Sequence, residues 1–277
     1  EGIEINGETV GLITYMRTDS VNLSDSATQQ IRVLIKNKYG DKYLPESPNK
    51  FNKKSTNAQE AHEAIRPTDI NKLPEDIKSF LDERQRLLYE LIWKRTISSQ
   101  MESAEIDQVS INILSENKDI GFRTSGSILI FDGYKKVYTE DQDDKEFDDD
   151  KNSNIPKVNE GDSLNFYDIK PLQHFTEPPP RFTEASLVKK LEELGIGRPS
   201  TYASIISTIA NRGYAEILNK RFFPTDRGKL ISAFLEKLFS KYVDYNFTAG
   251  LEDQLDEITT GKESWIKVLE LFWKDFN

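Results

Sequence analysis

Cysteine is absent from this sequence, and histidine occurs only twice, at His62 and His174. Disulfides, thiolate zinc sites, iron–sulfur clusters and cysteine nucleophiles are therefore excluded, and a multi-histidine metal centre has too few ligands. No apolar run approaches the roughly 18 residues of a membrane span, and no signal peptide opens the chain. The expectation is a soluble protein of a reducing compartment with no membrane partner. Glu1 stands where an initiating methionine would, which points to a processed product or a piece of something longer. An overall cationic surplus is missing too: 37 Lys and Arg face 47 Asp and Glu, for a formal net charge of -10. Apolar residues make up 36% and charged ones 30%, a lean ratio for one compact globule that suggests an elongated or multi-lobed molecule.

The acidity is concentrated. Residues 140–151 hold eight acids and two bases, whereas residues 174–230 hold nine Lys and Arg against six Asp and Glu. The low isoelectric point therefore argues only weakly against a polyanionic partner, because binding follows the local patch. The acidic window reads as a solvated loop kept extended by like-charge repulsion.

Three regions follow from periodicity, giving an α+β, multi-lobed expectation. In residues 1–103, a short strand at 11–16 leads into a helix marked by Ala27, Ile31, Leu34, Ile35 and Tyr39, with Ser24 as its cap and Gly40 at its end. A second helix is expected over 57–66, stopped by Pro67, and a third over 74–99. In residues 104–173 the period falls to two: Val109, Ile111 and Ile113, then a strand ending at Phe131 before Asp132 and Gly133, then a further strand through Leu164, Phe166 and Ile169. Pro178, Pro179 and Pro180 form a stiff connector. In residues 174–277, Thr183 caps a helix ended by Gly195, a turn follows at 195–199, and Ser200 caps a second helix that closes at Gly213. This is a helix-turn-helix, with a wing turning at Asn219 and Lys220 and a last helix from Asp226.

Three constellations could carry chemistry. In the first, Thr14, Tyr15, Arg17 and Asp19 lie together, and residues i and i+2 of a strand share a face, so the Tyr15 phenol and Arg17 guanidinium can meet one ligand. A nucleophilic phenol, with its ordinary pKa of about 10, needs a cation or base to favour its oxyanion, and an arginine fork matches phosphate. A packed aromatic is the bland alternative. In the second, His62 and Arg66 sit four apart on one helical face, suited to phosphate but equally to a solvated histidine. In the third, Arg181, Thr183, Arg198, Ser200, Thr201 and Tyr202 gather phosphate donors and a stacking ring near a helix start. Capping explains Ser200 but not the two arginines.

The segments GLITYMRTDSVNLS (residues 11–24), AQEAHEAIRPT (58–68) and PPRFTEASLVKKLEELGIGRPSTYASIISTIANRGY (179–214) resemble bacterial type IA DNA topoisomerases in the same order and roughly the same spacing. The likeness runs through to DYNFTA (244–249) and LEDQLD (251–256). It implies that Tyr15 attacks one strand of DNA and holds the 5′-phosphate as an ester. Strand passage and resealing would then relax negative supercoils without ATP. Arg17 would stabilise the scissile phosphate, His62 would hydrogen-bond near it, and Thr14, Asp19 and Arg66 would support them. Arg181, Thr183, Arg198, Ser200, Thr201 and Tyr202 would track the single strand.

The resemblance also implies magnesium for the full-length enzyme, single-stranded and negatively supercoiled DNA as partners, a monomer, and a bacterial, nucleoid-associated location in the cytoplasm. The acidic magnesium-binding domain of the family has no counterpart here, since Asp141 and Asp143 are followed by Lys145 where a glutamate belongs. The family's cysteine-rich fingers are missing as well. The expectation is a fragment that binds single strands weakly and cleaves poorly alone. A non-catalytic winged-helix DNA-binding regulator would account for residues 183–224 but leaves Tyr15 and Arg17 without a task. A scaffold acting through the acidic loop has only charge in its favour.

Overall fold

The computed structural model describes residues 2–5, 7–18, 20–51, 62–139, 156 and 158–276. Asp19, the first half of the 57–66 stretch and the acidic loop thus fall outside the described residues. The chain packs as two units, one from the described parts of 1–16, 21–52 and 63–178, the other from those of 17–20, 53–62 and 179–277.

In the first unit a small hairpin, β1 (Ile3–Ile5) with β2 (Glu8–Val10), precedes helix α1 (Asp25–Tyr39). Ser24 caps α1 as expected, its hydroxyl accepting from the Ala27 amide. The expected 74–99 helix is broken into α2 (Pro74–Ile77), a 3₁₀ turn at Lys78–Phe80, and α3 (Glu83–Ser99). The break has a local cause: Asp82 and Gln85 form a reciprocal capping box, which starts a helix afresh. Ile31, Ile35, Ile97, Trp93 and Met101 form the centre of the core. Each fully buried aliphatic side chain contributes about 1.5 to 3 kcal/mol. The polar ends of the core aromatics are satisfied: Trp93 Nε1 donates to Ile70 O (2.9 Å) and Tyr89 Oη to Lys72 O (2.7 Å). Burial, aided by Asp69, pushes the Tyr89 phenol up to about 12.

Strands β3 (Glu105–Leu114) and β4 (Gly121–Phe131) form an antiparallel ribbon in the register Val109 to Gly126 and Ile113 to Phe122. Tyr43 ties the ribbon's base to the core by donating to Asp132 (2.7 Å). At the turn after β4, Gly133 has φ +46°, and a Cβ there would lie 2.5 Å from Ser103 O, so only glycine fits. The strand expected through Leu164, Phe166 and Ile169 does not form: residues 158–182 hold no regular element and those three side chains are exposed. Alternation alone does not make a strand; a ladder partner is needed, and none pairs with it among the described residues.

In the second unit α4 (Glu184–Glu193) and α5 (Tyr202–Asn211) are joined by a tight turn. The wing follows as β5 (Ala215–Leu218) and β6 (Arg221–Pro224), with Asn219 and Lys220 at φ +50° and +64°, the conformation of a primed hairpin turn. Thr183 bridges Arg221, adding a short third edge to the wing. Helix α6 (Asp226–Leu238) is capped by Thr225. Three helices the periodicity did not resolve complete the unit: α7 (Ser240–Val243), α8 (Tyr245–Thr259) and α9 (Trp265–Phe276). Tyr242 packs edge-to-face on both Phe247 and Phe272, whose own rings are tilted to one another.

Candidate active site

Residues 11–14 and 64–68, fifty apart in sequence, are laced together in the first unit. Ile13 bridges Pro67, the Thr14 amide donates to Arg66 O (2.9 Å), and the Thr68 amide donates to Leu12 O (3.0 Å). Thr14 completes the clamp: its hydroxyl donates to Ala64 O and accepts from the Arg66 amide, both at 3.0 Å. Thr14 and Arg66, both expected as supporting residues, are thus direct partners. This pairing also corrects two expectations. Tyr15 is not in a continuous strand, because regular pairing stops at Ile13. Residues 62–66 are not helical either, since the backbone groups of Ala64 and Arg66 bond across to Thr14 and Asn22 rather than along a helix. The same-face argument from i, i+2 and i, i+4 spacing therefore does not hold for Tyr15 with Arg17 or for His62 with Arg66.

The clamp holds the backbone just before Tyr15, and Tyr15 itself stands 68% exposed. A packed core aromatic would not. Arg17 and His62 are half-buried and belong to the second unit.

Glu63, which the motif contained but spacing did not single out, organises this region. Its carboxylate accepts from the Ser24 amide at the α1 cap (2.9 Å) and, bidentately, from Arg66 Nε (2.7 Å) and Nη2 (3.1 Å). Arg66 Nη1 donates to Pro67 O. Burial raises the Glu63 pKa, but the bonds from Arg66 and Ser24 outweigh it and hold the carboxyl below its ordinary value. A depressed carboxylate contributes stability above its unfolded pKa and loses it as pH falls through the folded value. Glu63→Gln is accordingly expected to destabilise the chain by about 1 to 3 kcal/mol at neutral pH. The gap between the two urea midpoints should close as pH falls below the ordinary carboxylate range and the folded-state carboxylate takes up its proton; a gap that stays constant down into acid would refute the assignment.

In the second unit, Arg181 is exposed with its guanidinium 5.6 Å from the Phe223 ring centre, a cation–π placement that leaves its edge open to solvent. Thr183 is buried as the α4 cap, accepting from the Ser186 amide, so its hydroxyl serves the helix. Ser200 is exposed but caps nothing: α5 begins at Tyr202, and Thr201 closes the turn instead, accepting from the Arg198 amide and donating to Arg198 O. Tyr202 is half-buried, its phenol raised by burial and then by Glu192. Arg198, expected on the strand path, is the largest surprise. Its Nη1 donates to Gly195 O and Gly197 O and its Nη2 to Asp256 Oδ2 (2.7 Å), with Glu252 and Asp253 within 3.8 Å. The acids at 252 and 256, four apart on α8, were the signal that could have found this.

Among the described residues, no group of three or more His, Asp or Glu is arranged to hold a metal ion, and no helix is long and apolar enough to cross a membrane.

Residues 8–270 match the family model for DNA topoisomerase. The chain is 54% identical over 277 residues to DNA topoisomerase 1 of Rickettsia bellii and 48% identical over 278 residues to that of Xylella fastidiosa, covering all of this chain and 34% of each relative. It thus spans about a third of the length of these curated relatives. The structure of full-length topoisomerase I from Thermotoga maritima superimposes with a TM-score of 0.78 at 35% identity, over 99% of this chain and 43% of that one. With its mixture of helices and small sheets reproduced in that enzyme and its sequence matched almost from end to end, the chain belongs to the bacterial DNA topoisomerase family, type IA.

Proposed function

We propose that this chain carries the nucleophile and part of the single-strand path of an enzyme that cuts and reseals one DNA strand. The observation that carries the reading is Tyr15: an exposed phenol on a backbone fixed by the Thr14 clamp. Its oxygen attacks phosphorus, the phosphodiester's 3′ oxygen leaves and takes up a proton, and a 5′-phosphotyrosyl ester remains. Because one phosphate ester replaces another, the 3′-hydroxyl reverses the step and no ATP is consumed. Passage of a strand through the gap relaxes negative supercoils. Arg17 stabilises charge on the phosphate oxygens, His62 hydrogen-bonds beside it, Thr14 and Arg66 hold the backbone, and Asp19 supports the site. Arg181, Ser200, Thr201 and Tyr202 line the approach of the single strand, with Thr183 securing α4 behind them.

The layout we assign is a tyrosine domain at 1–103, a β domain at 104–173 and a winged-helix-like domain at 174–277. The full-length enzyme acts in the bacterial cytoplasm, at the nucleoid, as a monomer. Magnesium, which the family implies, has no fitting donor set among the described residues, so no step here runs through it.

The wing and helix-turn-helix give the non-catalytic reading its one support, and a binding experiment separates the two. The 277-residue chain is expected to bind a labelled single-stranded oligonucleotide in preference to duplex of the same sequence, and to leave supercoiled plasmid unrelaxed. Preference for a particular duplex sequence would favour the regulator; robust relaxation by this chain alone would overturn the division of labour.

A further inference from the structure

Arg198 is chemically suited to a phosphate, yet its surroundings face it the other way. A guanidinium has five N–H donors in a fixed fork. Both protons of Nη1 go to the carbonyls of Gly195 (3.2 Å) and Gly197 (2.8 Å), and Nη2 meets Asp256 at 2.7 Å and Asp253 at 3.8 Å. Nε is buried without an acceptor. Three of the five donors are spent inside the protein and Nε is buried, so neither edge presents two exposed donors for the parallel bonds by which arginine grips a phosphate, and the side chain is only 19% exposed.

The turn it grips is unusual in its backbone. Gly195 and Gly197 have φ of +71° and +76°, a region L side chains avoid. A Cβ at Gly197 would press on Ile205, Tyr202 and Thr201, at 3.1, 3.1 and 3.3 Å, and one at Gly195 would touch Ala249 of α8 at 3.5 Å. Ala249, Glu252 and Asp256 lie three and four apart, on one face of α8. The small residue lets the turn approach, and the two acids then receive the guanidinium. Arg198 therefore ties α8 to the turn that sets where α5 begins, and with it Ser200, Thr201 and Tyr202.

We infer that Asp256, seconded by Glu252, is a positioning residue for engagement of the DNA strand, acting through Arg198, which braces the turn rather than touching phosphate. This rests on the single-strand-binding reading above. A phosphate contact and a brace differ in one measurable respect. Each phosphate neutralised on a single strand adds about 0.7 to the slope of log affinity against log salt, whereas a brace contributes none.

The test is anisotropy of a labelled single-stranded oligonucleotide titrated with the 277-residue chain over a range of salt. Asp256→Asn and Arg198→Gln are each expected to weaken binding about five- to tenfold with the salt slope unchanged. The double variant should be no weaker than the worse single one, because both changes break the same contact. A slope flattened by about 0.7 in Arg198→Gln, or affinity unchanged or increased in Asp256→Asn, overturns the inference while leaving the single-strand reading intact. A wild-type chain that does not bind the oligonucleotide overturns that reading, and this one with it. Should Arg198→Gln fail to fold, Asp256→Asn decides alone, since it keeps the side chain's volume and an acceptor oxygen.

Discussion

Tyr15→Phe in the full-length enzyme is expected to remove the covalent DNA adduct entirely and to lower strand cleavage by about 10⁴-fold or more, the scale seen when a sole nucleophile is deleted. One atom is lost, the chain has no cysteine to take its place, and the adjacent Thr14 has its hydroxyl bonded on both sides. Folding should be nearly untouched. The ring is 68% exposed, so removing its oxygen buries no unpaired group, and surface changes of this kind stay within about 0.5 kcal/mol. Binding of single-stranded DNA should change by no more than about twofold, because the ring remains for stacking and the charged groups are intact. The adduct is read as a DNA-shifted band after denaturation, the melt by circular dichroism. A band that survives the substitution would remove Tyr15 from its role.

How far the sequence could have led to this arrangement depends on whether each signal was local. The wing was legible because Asn219 and Lys220 are followed and preceded by strand-forming residues, and asparagine tolerates positive φ. The Thr183 cap and the closing Gly213 were legible for the same reason: capping chemistry acts within one turn of chain. The 57–66 helix was misjudged over its described end because its competitor was fifty residues away. Nothing in the local pattern announces that Thr14 will claim Ala64 and Arg66, or that Glu63 will serve the cap of α1. The partners of Arg198 were hidden for a similar reason. Its type and its place beside a helix start indicated phosphate, while the acids that hold it lie on a helix beginning at Tyr245. A charged group reads as a ligand site until its long-range partner is known. The missing third strand after the acidic loop shows the converse, a good local pattern with nothing to pair against.

Arg17→Ala in the full-length enzyme is expected to lower cleavage by about 10² to 10³-fold, the loss typical of removing one preorganised group that meets charge developing in a transition state. Its effect on single-strand affinity should be far smaller, about threefold or less, because a ground-state phosphate is also neutralised by other cations of the strand path. The split matters more than either number. An interaction made only at the transition state appears in the rate, whereas one made equally with bound DNA appears in affinity. Arg17→Lys sharpens the comparison: an ammonium restores the charge but not the planar two-point fork, so cleavage should recover in part while affinity returns to wild type. Single-turnover cleavage at saturating DNA, measured beside anisotropy on the same oligonucleotide, gives both quantities. Equal losses of rate and affinity in Arg17→Ala would make Arg17 a holder of DNA and nothing more, leaving the charge on the phosphate oxygens to some other donor.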